Sequence, residues 1–552
     1  MIVPSREHTV SQTPAERQRN VLNKRNRTWG VLAAIATVGL ALTACSGSTD
    51  GGGASGSDER IYVQALAADP QSFNAQLTNG ASPSAFSAQI LDTLIRISDT
   101  YELSPGLAEE WELSDDGKLL TLTLREGVTW HDGEPFTAED VKFNLDEIVE
   151  LQTFGAALAA RFESVDIVDE RTVEVRLTET YGPILETLAV QYMLPAHIYE
   201  GTDYVTNPAN MAPIGTGPMM FGSFQSGSEV ILEKNPDYWD GEVLVDRAIY
   251  PIMSDPNSRA LALFAGEVDQ AGLDPAQLSQ ADGRNDISQM SGGSFPQVIT
   301  MMFNGVGGKL DDPELRKLVY AALDRTEIAD VALGGRGTPA ETFFPPELDW
   351  AVNDDIDFAT DYPHDVDAIN DALDDAGYPV GPDGSRFTLN TRYITELSEV
   401  GSTAEMAAAQ LERVGITLNL VGSASAVFTE KVYTESDFDI AFLRSTLGSD
   451  PSNGIVRWYA CNPDKLAASN PSGICDDEIM AAASAALAST DREVRGEAFR
   501  DLQERAGELM IYAPVAWYTG WLPLLNDSRW QGVDERMPAT NLTPWTSMTL
   551  KG

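Results

Sequence analysis

The sequence predicts a mixed α/β protein built in several lobes. Strand-like alternation recurs along the chain. Amphipathic helices with proper caps lie between the strands, and no fixed-period repeat or coiled-coil heptad runs through either. The length of 552 residues corresponds to about three to four structural units. With 43% apolar and 22% charged residues, the composition is that of an ordinary globular protein. It excludes a wholly disordered chain and a multi-span membrane protein.

In chain order, Leu120, Leu122 and Leu124 alternate with Thr121, Thr123 and Arg125, the period-two pattern of a half-buried strand. Thr137 followed by Asp140 reads as an N-cap with an acid three residues on, opening a helix. Val173, Val175 and Leu177 repeat the strand pattern. Asp312-Pro313 opens a second helix, since Pro suits the first helical position. Leu315, Leu318, Val319, Ala322 and Leu323 then form one apolar face. A last helix gathers Phe499, Leu502, Ala506, Leu509 and Met510 on one side.

The charge narrows function. There are 84 acidic and 37 basic side chains, a formal net charge of −47. Nucleic acid is excluded as a partner, because phosphates need Lys and Arg. Four His and three Cys leave little for soft-metal or His-based chemistry. There is no Gly-x-Ser-x-Gly, no His-Glu-x-x-His and no Walker motif, so the secreted-hydrolase reading has no nucleophile or metal site to rest on. No catalytic residue and no cofactor is expected.

Residues 1–44 read as an export signal. Arg17, Arg19, Lys24, Arg25 and Arg27 precede the uncharged run Val31–Leu42, too short to span a bilayer and the right length for a signal-peptide core. Leu42-Thr43-Ala44-Cys45 resembles the lipobox of bacterial lipoproteins, in which the Cys is lipidated; cleavage with Cys45 as a bystander is the alternative. The Gly- and Ser-rich stretch after it makes 45–60 a flexible tether. Such an anchor holds the rest of the chain on the extracytoplasmic face of a membrane, at the cell surface or in a periplasm. Cys461 and Cys475 bracket a polar loop. In an exported protein they pair most simply as a disulfide, with two free buried thiols as the alternative.

A family resemblance begins at Leu107-Ala108-Glu109-Glu110-Trp111 and continues through Trp130-His131-Asp132-Gly133-Glu134-Pro135-Phe136-Thr137-Ala138-Glu139-Asp140-Val141. This stretch resembles the signature block of the family 5 extracellular solute-binding proteins, the dipeptide-, oligopeptide- and nickel-binding group of ABC importers. Further similar blocks follow in the family's order: Ile214-Gly215-Thr216-Gly217-Pro218, Asn235-Pro236-Asp237-Tyr238-Trp239, Ala265-Gly266-Glu267-Val268-Asp269 and Phe303-Asn304 with the helix to Ala322-Leu323-Asp324-Arg325. The resemblance covers about residue 61 to the C-terminus. Trp130, His131 and Asp132 read as scaffold, and Gly215-Thr216-Gly217 as a crossover turn rather than a phosphate loop.

The resemblance implies a two-lobed periplasmic-binding-protein fold of type II with an extra inserted domain. Residues 61–95, 205–302 and 508–552 would form the first lobe, 96–204 the inserted domain, and 303–507 the second lobe. It implies a monomer that traps a peptide or other small solute and delivers it to an ABC permease and ATPase complex. A receptor that signals instead of transporting is the competing reading.

Ligand contacts are expected at Ser84, Phe86, Phe303, Asn304, Arg444, Ser445, Asp450, Trp517 and Tyr518. Peptide-binding members carry an Asp for the ligand's amino group shortly before an acidic-Pro pair. Anchoring on Asp450-Pro451 puts Leu447 at that position, and anchoring on Asp439-Ile440-Ala441 puts Gly448 there, so neither is a carboxylate. Asp450 is the candidate substitute. Arg444 reads either as a carboxylate or phosphate clamp or as an ion pair. Trp517, Tyr518 and Trp521 read either as stacking surfaces or as core. Ser82, Ser84 and Phe86 read either as pocket lining or as a polar turn leading into a helix. His131, His197 and His364 lie in different contexts, so no metal site is expected; a metal–chelate complex stays open as a ligand.

Overall fold

A computed structural model describes residues 59–77, 81–152, 154–273, 275–278, 280–281, 283–292, 295–518, 523–533, 536–537, 540 and 542–551. The export signal, Cys45, nearly all of the tether and Trp521 lie outside the described residues. So do the side chains of Ser82 and Ser84; the backbone of both lies in the helix Ala81–Ile90. Residues 58–552 form one compact unit.

Three sheets organise that unit. The first has seven strands in the order Ile287–Gln289, Pro523–Asn526, Gln270–Gly272, Ile61–Ala65, Arg247–Pro251, Glu229–Lys234 and Met219–Gln225. Its members come from three separated stretches of chain. Ile61–Ala65 lies at the centre and pairs in parallel with both neighbours.

The second sheet has four antiparallel strands in the order Ala108–Leu113, Leu119–Leu124, Thr172–Leu177 and Phe162–Asp169. Leu120, Leu122 and Leu124 are buried while their alternating neighbours are not, as the period-two pattern requires. Each such Leu contributes about 1.5–3 kcal/mol by leaving water. Thr137 caps the helix Ala138–Phe143, and the Asp140 carboxylate accepts from the Thr137 N–H at 3.0 Å.

The third sheet has six strands in the order Gly337–Pro339, Tyr512–Tyr518, Gln297–Phe303, Ile440–Thr446, Phe387–Ile394 and Ile416–Ser423. Gln297–Phe303 and Tyr512–Tyr518 are apolar nearly throughout, and Ile440–Thr446 is apolar up to Leu443. All three are buried, the pattern of strands covered on both faces. Helix Ser398–Glu412 connects the parallel pair Phe387–Ile394 and Ile416–Ser423. Helices Asp477–Leu487 and Arg492–Leu509 pack together as a hairpin beside this sheet.

Sheet membership corrects two expected boundaries. Gln297–Phe303 and Tyr512–Tyr518 both lie inside the six-stranded sheet, so the chain changes sheets between 289 and 297 and again between 518 and 523. The breaks read at 302/303 and 507/508 fall too late and too early. An apolar run gives no sign of which sheet will bury it.

Among the described residues no helix is long and apolar enough to cross a membrane. Cys461 and Cys475 form a disulfide with 4.7 Å between Cα atoms. Closing a loop of that size contributes about 3 kcal/mol in the chain-entropy account.

Candidate functional site

Most of the signature blocks converge on one structural node. The His131 ring accepts from the Gly215 N–H through Nδ1 at 3.1 Å and reaches the Gly217 carbonyl through Nε2 at 2.9 Å. Asn235 Nδ2 donates to the same carbonyl at 2.9 Å. Asp92 accepts from Thr216 Oγ1 at 3.0 Å and from Trp239 Nε1 at 2.9 Å. A Cβ on Gly215 would lie 1.8 Å from the Ile90 carbonyl oxygen, so this turn seats directly on the end of the Ala81–Ile90 helix. Burial lowers the His131 pKa to about 4, which keeps the ring neutral. The node welds the four-stranded segment to the seven-stranded sheet and leaves these groups no spare valence for a ligand.

The expected ligand contacts disperse. Phe86 is buried against Phe73 and Tyr250 in the core of the first sheet, and Phe303 is fully buried in the third. Asn304 Nδ2 donates to the Ser436 and Phe438 carbonyls at 3.2 and 3.0 Å, holding a turn. Register separates the others. Val298 stands opposite both Ser445 and Trp517, whereas Gln297 stands opposite Thr446 and Tyr518. Successive residues point to opposite faces. Ser445 and Trp517 therefore share one face, and Arg444 and Tyr518 the other.

Each has a partner. Ser445 Oγ and the Tyr512 hydroxyl lie 2.7 Å apart. Trp517 is buried in the core. Arg444 pairs with Glu399, and its guanidinium lies 5.8 Å from the Tyr518 ring. Arg444 is thus an ion pair and not a free clamp. The Asp450 carboxylate is taken by Arg495 at 2.6 Å, and both side chains are 1% exposed. Its Oδ1 also accepts from the Ser452 N–H at 2.8 Å. Leu447 is buried, as the missing carboxylate at that position requires.

What the structure does offer a guest lies just beyond the carboxyl end of Ile440–Thr446. In open α/β sheets this edge is where ligands lie. The loop there is drawn tight, because a Cβ on Gly454 would lie 1.5 Å from the Leu447 carbonyl oxygen. The four-stranded segment closes over it. Asn453 Nδ2 donates to Thr187 Oγ1 at 2.9 Å, and the Phe154 ring lies 5.9 Å from the Arg457 guanidinium. Gln76, Gln191 and Gln152 form a hydrogen-bonded chain at 2.7 and 3.1 Å, extending from the turn that follows strand Ile61–Ala65 into this segment. Within the loop, Ser449 Oγ, Asn453 Oδ1, Arg457 Nε and Trp458 Nε1 are sealed from solvent and have no partner among the described residues. Buried polar groups are paired in nearly all folded proteins. This cluster of unpartnered polar atoms is the candidate site.

The model of the bacterial extracellular solute-binding proteins, family 5, matches residues 102–465. The chain belongs to that family. Among its family 5 relatives, the heme-binding protein A of Haemophilus influenzae is 26% identical over 522 residues, 89% of this chain and 94% of the relative. A putative ABC transporter peptide-binding protein of Brucella ovis is 30% identical over 453 residues, 78% and 81% of the two chains. The crystal structure of NikA from Brucella suis in complex with Fe(III)-EDTA superposes with a TM-score of 0.77 at 21% identity, covering 89% of this chain and all of that one. The two-lobed family 5 fold is thereby shown.

Two features of this family 5 member escaped the sequence reading. One is Arg457, visible only as a basic residue in the run Val456-Arg457-Trp458-Tyr459. The other is Glu186, which faces Asp450, Arg492 and Arg495 across the contact between helix Ile184–Leu188 and the helical hairpin. Gly182 makes that contact possible: its N–H donates to the Leu487 carbonyl at 2.7 Å, and a Cβ there would lie 2.3 Å from the Ser489 carbonyl oxygen. Burial, then the nearby Asp450 charge, pushes the Glu186 pKa up to about 7. Among the described residues no group of His, Cys, Asp and Glu has the arrangement of a metal site.

Proposed function

We propose that this chain is the lipid-anchored, extracytoplasmic binding subunit of an ABC importer. It takes a peptide or another small solute between two lobes, one built on the seven-stranded sheet and one on the six-stranded sheet, and hands it to a permease and ATPase complex. The 96–204 segment acts as the inserted domain that covers the site. The observation that carries the solute-binding part is the set of orphaned polar atoms in Ser449–Trp458 under Phe154 and Thr187. Membership in family 5 and the peptide-binding names of relatives, including the dipeptide-binding protein of Escherichia coli, support the same reading. Lobes that close on a guest report occupancy to the permease by population shift.

Thermal-shift and native mass-spectrometric screening against di- to pentapeptides, metal chelates and sugars tests the reading. A ligand at one hundred times its Kd should stabilise the protein by about 2.7 kcal/mol. Failure of every class to shift the melting point would remove the binding role. Anchoring is tested apart from binding. Cys45→Ser should move the protein from the membrane fraction to the soluble fraction, with no change in the melting point of the folded part. Retention of the variant in membranes would overturn the lipobox reading.

A further inference from the structure

Among the described residues, most buried basic side chains of this acidic chain are matched with carboxylates or carbonyl oxygens. Arg495 holds Asp450, Arg444 holds Glu399, Arg386 holds Asp374, and the buried Arg316 is satisfied by the carbonyls of Leu310, Asp311 and Leu509. Arg457 departs from this pattern. It is partly buried at the end of the short helix Ile455–Trp458, and its Nε is sealed from solvent without a partner among the described residues. Its neighbours are aromatic: the Trp458 ring lies 5.2 Å and the Phe154 ring 5.9 Å from the guanidinium carbon. Tyr512 stacks on Trp458 with ring centroids 5.4 Å apart. Desolvation lowers the Arg457 pKa, and the electrostatic neighbours that oppose this are the phenols of Tyr512 and Tyr433, not a carboxylate.

A partly buried guanidinium whose Nε is shielded from water without a counter-charge is unfavourable unless something supplies that charge. A chain with 84 acidic residues had many ways to place one here. The site instead presents a planar cationic fork between aromatic faces, beside the unpartnered Ser449 Oγ, Asn453 Oδ1 and Trp458 Nε1. That is the geometry that takes a carboxylate through two parallel N–H···O bonds, with apolar rings on either side. Trp458 Nε1–H and the Ser449 hydroxyl add donors; Asn453 Oδ1 adds an acceptor for a neighbouring N–H.

We propose that Arg457 is the anchor for a carboxylate of the transported solute, clamped between Phe154 and Trp458. The proposal rests on the solute-binding reading above and names the chemical class of ligand for that site. In the free protein Arg457 is a destabilising residue, and in the complex it is the residue that selects an acid over its amide.

The test uses two probes and one variant. The probes are a tripeptide library with free C-terminal carboxylates and the same library with C-terminal amides, each titrated against wild-type protein and Arg457→Met. The wild type should prefer the acids by at least tenfold. Arg457→Met should lose that preference, its affinity for the acids falling at least tenfold further than its affinity for the amides. Without ligand, Arg457→Met should melt at or above the wild-type temperature, because it exchanges an uncompensated cation for an apolar side chain of similar length. A variant that melts several degrees lower and keeps the acid preference would overturn the proposal, since Arg457 would then be a structural residue. If neither library binds the wild type, the peptide part of the functional reading fails. The ligand-free melting comparison still decides Arg457: a clear drop refutes the anchor, and no drop supports it.

Discussion

Asp450→Ala should destabilise the protein by about 3–5 kcal/mol, the loss expected when one member of a buried ion pair is removed. Asp450 and Arg495 are each 1% exposed, and Asp450 Oδ1 also accepts from the Ser452 N–H at 2.8 Å, fixing the turn after Pro451. Without the carboxylate, the hydrogen bonds left to Arg495 are those to the Ala486 carbonyl at 3.1 Å and Ser452 Oγ at 3.3 Å, and the nearby Glu186 is protonated below a pKa of about 7. Those dipoles do not neutralise a guanidinium enclosed by Trp350 and Phe499. Chemical unfolding of the wild type and the variant measures the loss. The double variant Asp450→Ala, Arg495→Met, measured below pH 6 where Glu186 is protonated, should recover most of it, because neither member of the pair is then left buried without the other. A single-variant loss under about 1 kcal/mol, the range of exposed pairs, would mean that water reaches the site and that Asp450 is free to act elsewhere.

The limits of the sequence reading follow from the range of the forces involved. Strands and helix starts were legible because alternation and capping act within a few residues: Leu120 to Leu124, Thr137 with Asp140, and Asp312, whose carboxylate accepts from the Glu314 N–H at 3.0 Å. The signature blocks were legible as scaffold, and the node shows why their types are needed: a neutral His, a Gly without room for a Cβ, and an Asn and a Trp that close the remaining hydrogen bonds. The site was not legible in the same way. Asp450 finds Arg495 at a separation of 45 residues, and Asn453 finds Thr187 at 266. No local pattern says which acid meets which base. Aromatic and polar types suggested Phe86, Phe303 and Ser445 as contacts, but strand register and core packing decide their direction. Arg457 is conspicuous only by what it lacks, and a missing partner becomes visible only when every neighbour is in place.

Glu186→Gln should stabilise the protein at pH 8 and leave it nearly unchanged at pH 4. Burial and the Asp450 charge raise the Glu186 pKa from 4.5 to about 7, against the opposing pull of Arg495 and Arg492. The folded protein therefore holds a proton that the unfolded chain releases between those values. Stability is full below pH 4.5, falls as pH rises through that window, and is constant above about 7. A shift of this size corresponds to about 3 kcal/mol. The wild type alone will not display it cleanly, because His131 acts in the opposite direction. Its pKa falls from 6.5 to about 4, so the unfolded chain holds the extra proton and stability rises over that interval. The two trends offset each other between pH 4.5 and 6.5, and the Glu186 loss stands alone only near pH 7. The difference between wild type and Glu186→Gln, measured by urea unfolding at half-unit steps from pH 4 to 8, removes the His131 contribution. It should grow steadily in favour of the Gln variant and level off above pH 7. A flat difference would show that Glu186 ionises freely in the folded protein and that its contact with the helical hairpin is solvated. A rise confined to the interval above pH 7 would place the titration on another group.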